Sequence, residues 1–82
     1  MRKYDKETKK ILEVMMCNQC GKQIRVENGI VKEGVFSTEY NWGYFSKKDG
    51  QKHVFDLCEN CYEKIIKKFE IDVEIKENVE LL

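Results

Sequence analysis

Apolar and polar residues alternate along this chain with a period that changes more than once. "KILEVMM" (Lys10–Met16) is apolar at Ile11, Leu12, Val14, Met15 and Met16. That density suits helix or strand, and it is read as a strand leading into the first cysteine. "KQIRVENGIVKEG" holds Asn28-Gly29, a dipeptide that tolerates the positive φ angles of a tight hairpin turn. "VFSTEYNWGYFS" is rich in aromatic and β-branched residues and predicts strand. Asp49-Gly50 is a second hairpin signal, after which Val54 and Phe55 lead toward the second cysteine pair.

From Leu57 the period becomes helical. Cys58, Cys61, Tyr62, Ile65, Ile66 and Phe69 recur at three- and four-residue spacing on one face. The pattern predicts a helix from Asp56 to Phe69 with Tyr62, Ile65 and Phe69 inward. "DLCE" reads as a capping box with Asp56 as N-cap. Beyond it "EIDVEIK" alternates Ile71, Val73 and Ile75, which predicts a short final strand. Strands, hairpins and one helix make an α+β miniature.

At 82 residues the chain is read as one domain, residues 1–82, too small for a generous core without a staple. Residues 1–10, mostly charged, are expected to be a flexible tail. Fifteen basic residues balance fifteen acidic ones, against a strongly cationic nucleic-acid binder or a polybasic membrane anchor. No apolar run approaches the roughly 20 residues that cross a bilayer, and no signal-like stretch follows the N-terminus. A cytoplasmic location is expected. In a reducing cytosol four cysteines point to metal or redox chemistry rather than disulfides.

All four cysteines fall in two CxxC pairs, Cys17/Cys20 and Cys58/Cys61, separated by 37 residues. Zinc takes four ligands in a tetrahedron, and a CxxC turn presents two sulfurs to one ion. The expected cofactor is therefore one structural Zn²⁺ per chain on Cys17, Cys20, Cys58 and Cys61. Iron on the same four thiolates is an open alternative. A redox CxxC is disfavoured by the second pair and by the lack of a βαβ pattern.

The two pairs differ. Gly21 and Lys22 follow the first, so the backbone can turn tightly and aim amides at sulfur, as in a zinc knuckle. Tyr62 follows the second and the helical pattern continues. A knuckle, a hairpin and a helix-borne pair resemble the treble-clef zinc fingers, which implies a small treble-clef-like fold. The stretch "WGYFSKKDGQKHVFDLCENCYEKIIKKF" is also similar to a group of small bacterial CxxC…CxxC proteins with no assigned function. In those an aromatic-glycine hairpin runs into a "CE-x-C" helix. The resemblance covers most of Cys17 to Phe69 and implies fold and metal without an activity.

No catalytic residue is proposed. A closed four-cysteine shell leaves no position for water or substrate. His53, the one histidine, is expected to be a surface or hairpin residue, and no phosphate loop or nucleophile elbow occurs. The aromatics Phe36, Tyr40, Trp42, Tyr44 and Phe45 are expected mainly to pack the hairpin. Tyr40, Trp42 and Tyr44 share a face if the side chains alternate, and Phe36 and Phe45 then need separate burial. Trp42 and Tyr44, with Lys47 and Lys48, form a candidate partner surface. The expected function is a zinc-stabilised, non-enzymatic binding or adaptor domain, whose partner is another protein or its own copy. The alternative is a small nucleic-acid-binding regulator using the aromatic, basic hairpin.

Overall fold

A computed structural model describes residues 1–7 and 11–78. Among these described residues seven strands precede one helix: β1 (Arg2–Tyr4), β2 (Leu12–Met16), β3 (Gln23–Ile24), β4 (Val26–Glu27), β5 (Ile30–Val31), β6 (Val35–Asn41), β7 (Lys52–Cys58) and α1 (Glu59–Ile66). They form three small antiparallel sheets, β1-β2-β3, β4-β5 and β6-β7. The α+β expectation holds at this level.

Both hairpin signals act as expected. Asn28 (φ 52°) and Gly29 (φ 78°) turn between β4 and β5, so that Glu27 faces Ile30 and Val26 faces Val31. Two consecutive positive φ values match the right-handed twist of the flanking strands. Gly50 (φ 90°) closes the loop between β6 and β7, which pair without a break from Val35↔Cys58 to Asn41↔Lys52. "KILEVMM" is strand from Leu12 to Met16, while Lys10 lies outside the described residues.

Five expectations are corrected. The opening residues are no loose tail over residues 2–4: β1 pairs with β2, Arg2 facing Met15 and Lys3 facing Val14. The helix begins at Glu59, not Asp56, and its N-cap is Cys58, with no side-chain cap hydrogen bond. Asp56 is instead a β7 residue opposite Ser37. The local DLCE signal lost to a long-range strand pairing. At the other end α1 stops at Ile66, and the Lys68 and Phe69 N–H groups bond three residues back, tightening the last turn. Phe69, expected inward, is half exposed. Residues 71–78 form no strand, and Ile71 and Ile75 are more than four-fifths exposed.

Among the described residues the buried apolar core is Met15, Cys17, Ile24, Leu57, Cys58 and Cys61, flanked by half-buried Leu12, Val26, Val31, Val35 and Ile65. Half of that core is cysteine. Asp56 is the one buried charge there, at 1% exposure. It is fully engaged. Arg2 donates Nε to Oδ2 at 3.1 Å and Nη2 to Oδ1 at 3.0 Å, Ser37 donates its hydroxyl at 2.7 Å, and the Met1 amine approaches at 3.2 Å. Burial alone pushes this carboxyl up. The Arg2, Ser37 and Met1 donors outweigh it and hold it down at about 2, against an ordinary 3.8.

A carboxyl depressed on folding adds stability that is fully present above pH 3.8 and is lost as pH falls through about 2. That gap corresponds to about 2 kcal/mol. Removing one partner of a buried pair costs about 3 kcal/mol or more, because the other charge is stranded. Asp56→Asn in metal-loaded protein should therefore lower the urea-unfolding free energy at neutral pH by about 3 kcal/mol, and Ser37→Ala by about 1 kcal/mol. An Asp56→Asn protein as stable as wild type would show that the network contributes nothing.

Candidate metal centre

Each cysteine owes its place to a different element. Cys17 follows directly on β2, whose Met15 is locked in the core. The chain then reverses through a tight turn in which the Gly21 N–H bonds the Cys17 carbonyl and the Cys17 N–H bonds the Lys22 carbonyl, both at 2.9 Å. Gly21 sits at φ 79° with open space around the position of a Cβ. The glycine is therefore needed for its backbone angle and not for room. This turn aims amides at sulfur: Cys20 N–H reaches Cys17 Sγ at 3.5 Å, and Lys22 N–H reaches Cys20 Sγ at 3.4 Å. Cys58 closes β7 and opens α1, and Cys61 lies one turn into the helix.

The four sulfurs lie within 4.8 Å of one another, and Cys20 and Cys58 Sγ approach to 3.8 Å. For a tetrahedral ion with metal–sulfur bonds near 2.3 Å the sulfur–sulfur edge is about 3.8 Å. The cluster thus fits a metal ion, with side-chain movements of about an ångström at most. Cys17, Cys58 and Cys61 are buried and Cys20 is exposed. No disulfide links them.

The surroundings push two of the thiols in opposite directions. Burial raises the Cys17 thiol, but the N–H groups of Cys20, Cys58 and Gln19 outweigh it and bring it to about 6. Burial pushes Cys61 the other way, to about 12, and its three cysteine neighbours add to this. Four adjacent sulfurs cannot all ionise unaided, because each new charge faces the others. A cation at their centre removes that conflict. Lys22, held by Glu33 at 2.6 Å, is raised by that pairing and further by Cys58 and Cys20.

A second tie brings the pairs together, and nothing in the sequence signals it. Asn18, inside the first CxxC, donates its N–H to the Asp56 carbonyl at 2.7 Å, and its Oδ1 accepts the Asp56 N–H at 3.0 Å. The same Oδ1 accepts from the Met1 amine at 2.6 Å. The knuckle is thereby fastened to β7 two residues before Cys58. An Asn between two cysteines reads as an ordinary turn residue, so only the folded arrangement exposes its role.

The remaining candidates lie elsewhere. His53 is exposed, bonded to Gln51 at 3.1 Å, and five residues up β7 from Cys58, or about 17 Å along the strand. It is not among the clustered ligands. At the hairpin tip Trp42 is half buried, edge-on to Tyr40 at 5.1 Å and to His53 at 5.6 Å, with Lys48 Nζ 4.7 Å from its ring centre. Its Nε1 is buried without a hydrogen-bond partner among the described residues. Tyr44 and Phe45 stand edge to face, 82% and 99% exposed, so Phe45 lacks the separate burial expected of it. Lys47 is exposed beside them. A groove of about 660 Å³ runs between the β6-β7 hairpin and α1, lined by Phe36, Phe55, Leu57, Tyr62, Ile65 and Phe69 among others. None of the protein-family models, curated proteins or solved structures compared with the chain matches it. Among the described residues no helix is long and apolar enough to cross a membrane.

If the centre holds the fold together, Cys58→Ser and Cys61→Ser should both lose metal and the cooperative unfolding transition, since the ion contributes on the order of 10 kcal/mol. Near-UV circular dichroism before and after treatment with a strong chelator reads the same effect. A cooperative melt that survives proven metal removal would show that the apolar core suffices. Gly21→Ala should cost about 1 kcal/mol through backbone strain alone, and the bound metal should persist.

Proposed function

We propose that this protein is a zinc-stabilised, non-enzymatic binding module acting through protein–protein contact. The carrying observation is the open apolar groove beside α1, set on a domain whose own core is half cysteine. Such a domain spends its buried surface on holding a shape and leaves large apolar groups outside, which marks an interaction surface. Zinc is the preferred ion because four thiolates from a knuckle and a helix start suit a closed tetrahedral structural site. The same pairing supports the treble-clef-like reading of the fold. With every ligand supplied by cysteine, the ion has no open position and serves shape alone. A cytoplasmic setting goes with this reading, since the thiols must stay reduced.

The hairpin tip favours a second reading. Tyr44 and Phe45 are exposed next to Lys47 and Lys48, the combination that stacks bases and meets phosphates on a single strand. The balanced charge of the chain weighs against it.

Elemental analysis of protein prepared without added metal should give zinc at about one ion per chain. Iron as the dominant metal, or a disulfide in place of metal, overturns the zinc assignment. Fluorescence anisotropy with labelled single-stranded DNA and RNA at low salt should show no binding. Binding that weakens steeply with salt would transfer the function to the hairpin tip.

A further inference from the structure

The β6-β7 sheet has two outer edges, and they are treated differently. The phase of the ladder follows from Trp42, whose N–H donates to the Gln51 carbonyl at 3.0 Å in continuation of the strand pairing. Antiparallel pairs alternate between hydrogen-bonded and non-hydrogen-bonded. Phe36, Thr38 and Tyr40 therefore direct their main-chain groups toward β7, and Val35, Ser37, Glu39 and Asn41 direct theirs outward. On β7 the outward groups of Asp56 are both taken by Asn18. No described residue hydrogen-bonds the outward main chain of β6. An open edge seven residues long is a template for another strand.

We propose that this edge pairs with β6 of a second copy, antiparallel, about a two-fold axis through Thr38. The proposal rests on the binding-module reading and adds to it a second copy as partner, at an edge distinct from the groove. Turned about its centre, the sequence of β6, Val-Phe-Ser-Thr-Glu-Tyr-Asn, sets aromatic opposite aromatic. Phe36 lies opposite the partner's Tyr40, Ser37 opposite the partner's Glu39, and Val35 opposite the partner's Asn41. The outward groups of Ser37 and Glu39 then form the hydrogen-bonded pairs, as the ladder phase requires. Aromatic cross-strand pairs are among the favourable ones, and here the pair occurs twice. Moving the axis to Glu39 sets two carboxylates face to face, which is unfavourable. Moving it to Ser37 sets Tyr40 against the partner's Gly34 and forfeits both aromatic pairs.

The same pairing accounts for large groups left in water. Phe36 and Tyr40 are 40% and 56% exposed and lie on one face of β6. A two-stranded hairpin is marginal alone, and a four-stranded sheet β7-β6-β6-β7 gives that face continuous neighbours. A hollow of about 250 Å³ bounded by Gly34, Val35, Phe36, Glu59 and Tyr62 adjoins the Phe36 end of the edge. It has room for the partner's Tyr40 ring.

Sedimentation equilibrium of the full-length, zinc-loaded chain tests this, with three variants. Glu39→Pro removes an outward N–H and no main-chain bond within the hairpin, together with the exposed cross-strand ion pair to Lys52. Thr38→Lys sets two like charges opposite each other across the axis. Thr38→Cys places two thiols in a non-hydrogen-bonded pair, where Cα atoms lie about 4.5 Å apart and can form a disulfide. The expected result is a wild-type dimer whose dissociation constant rises about tenfold or more in Glu39→Pro and Thr38→Lys, with zinc content unchanged. Oxidised glutathione should link Thr38→Cys chains in pairs and leave the exposed control Glu13→Cys unlinked. If the two edge variants lose zinc and unfold, the Thr38→Cys cross-link alone decides. A wild-type monomer with no Thr38→Cys cross-link overturns the proposal and leaves the zinc module standing. A dimer that survives Glu39→Pro and Thr38→Lys, or links equally through Glu13→Cys, places the contact on another surface and also overturns it. Loss of zinc from the wild type instead removes the module reading itself.

Discussion

Four sulfur atoms from two ends of the chain converge within 4.8 Å, and the other elements are arranged around that meeting point. β2 delivers the first pair, β7 and α1 deliver the second, and the 37 residues between them are free to form two hairpins. The cluster also substitutes for a conventional core. Met15, Ile24 and Leu57 are the fully buried apolar groups other than cysteine among the described residues. Three such side chains are few for a domain of this size. Metal binding energy is available only when both pairs are assembled, so it stabilises the whole arrangement rather than one element.

Asp56 and Asn18 make that arrangement specific. A metal fixes distances between sulfurs but leaves the two pairs free to rotate about the ion. The paired hydrogen bonds between Asn18 and the Asp56 main chain fix the angle at which the knuckle meets β7. The Asp56 carboxylate turns the other way and anchors β1 through Arg2. One residue thus links all three parts that surround the centre. Its burial is tolerable because every oxygen is occupied by donors, two of them charged.

The parts legible in the sequence were those encoded by neighbours. Asn28-Gly29 and Asp49-Gly50 announce turns because only a few residue types accept positive φ. The CxxC spacing announces a ligand turn because two sulfurs must reach one point. Helical periodicity after Leu57 places α1 to within a few residues. What escaped is encoded across the chain. Asp56 looks like an N-cap beside Glu59, and only the pairing with Ser37 and the approach of Arg2 reveal it as a strand residue. Arg2 itself sits among charges that resemble a solvated tail. The alternation of Ile71, Val73 and Ile75 is as regular as any strand's, yet a strand needs a partner, and no described strand lies alongside it.

The separation of the ligand pairs also orders events in time. The β6-β7 hairpin closes a loop of ten residues, Trp42 to Gln51, and hairpins of this kind form in microseconds. Bringing Cys20 to Cys58 closes a far longer loop, and the entropy of doing so must be met before the ion or Asn18 can reward it. Val35 faces Cys58 at the far end of the same hairpin. Once the hairpin has formed, the chain remaining between Cys20 and that end runs only from Gly21 to Gly34, so most of the span has already been shortened. Formed early, the aromatic hairpin acts as a kinetic device. It gathers the distant cysteine pair by local contacts and reduces the search for the fourth ligand to a short-loop closure.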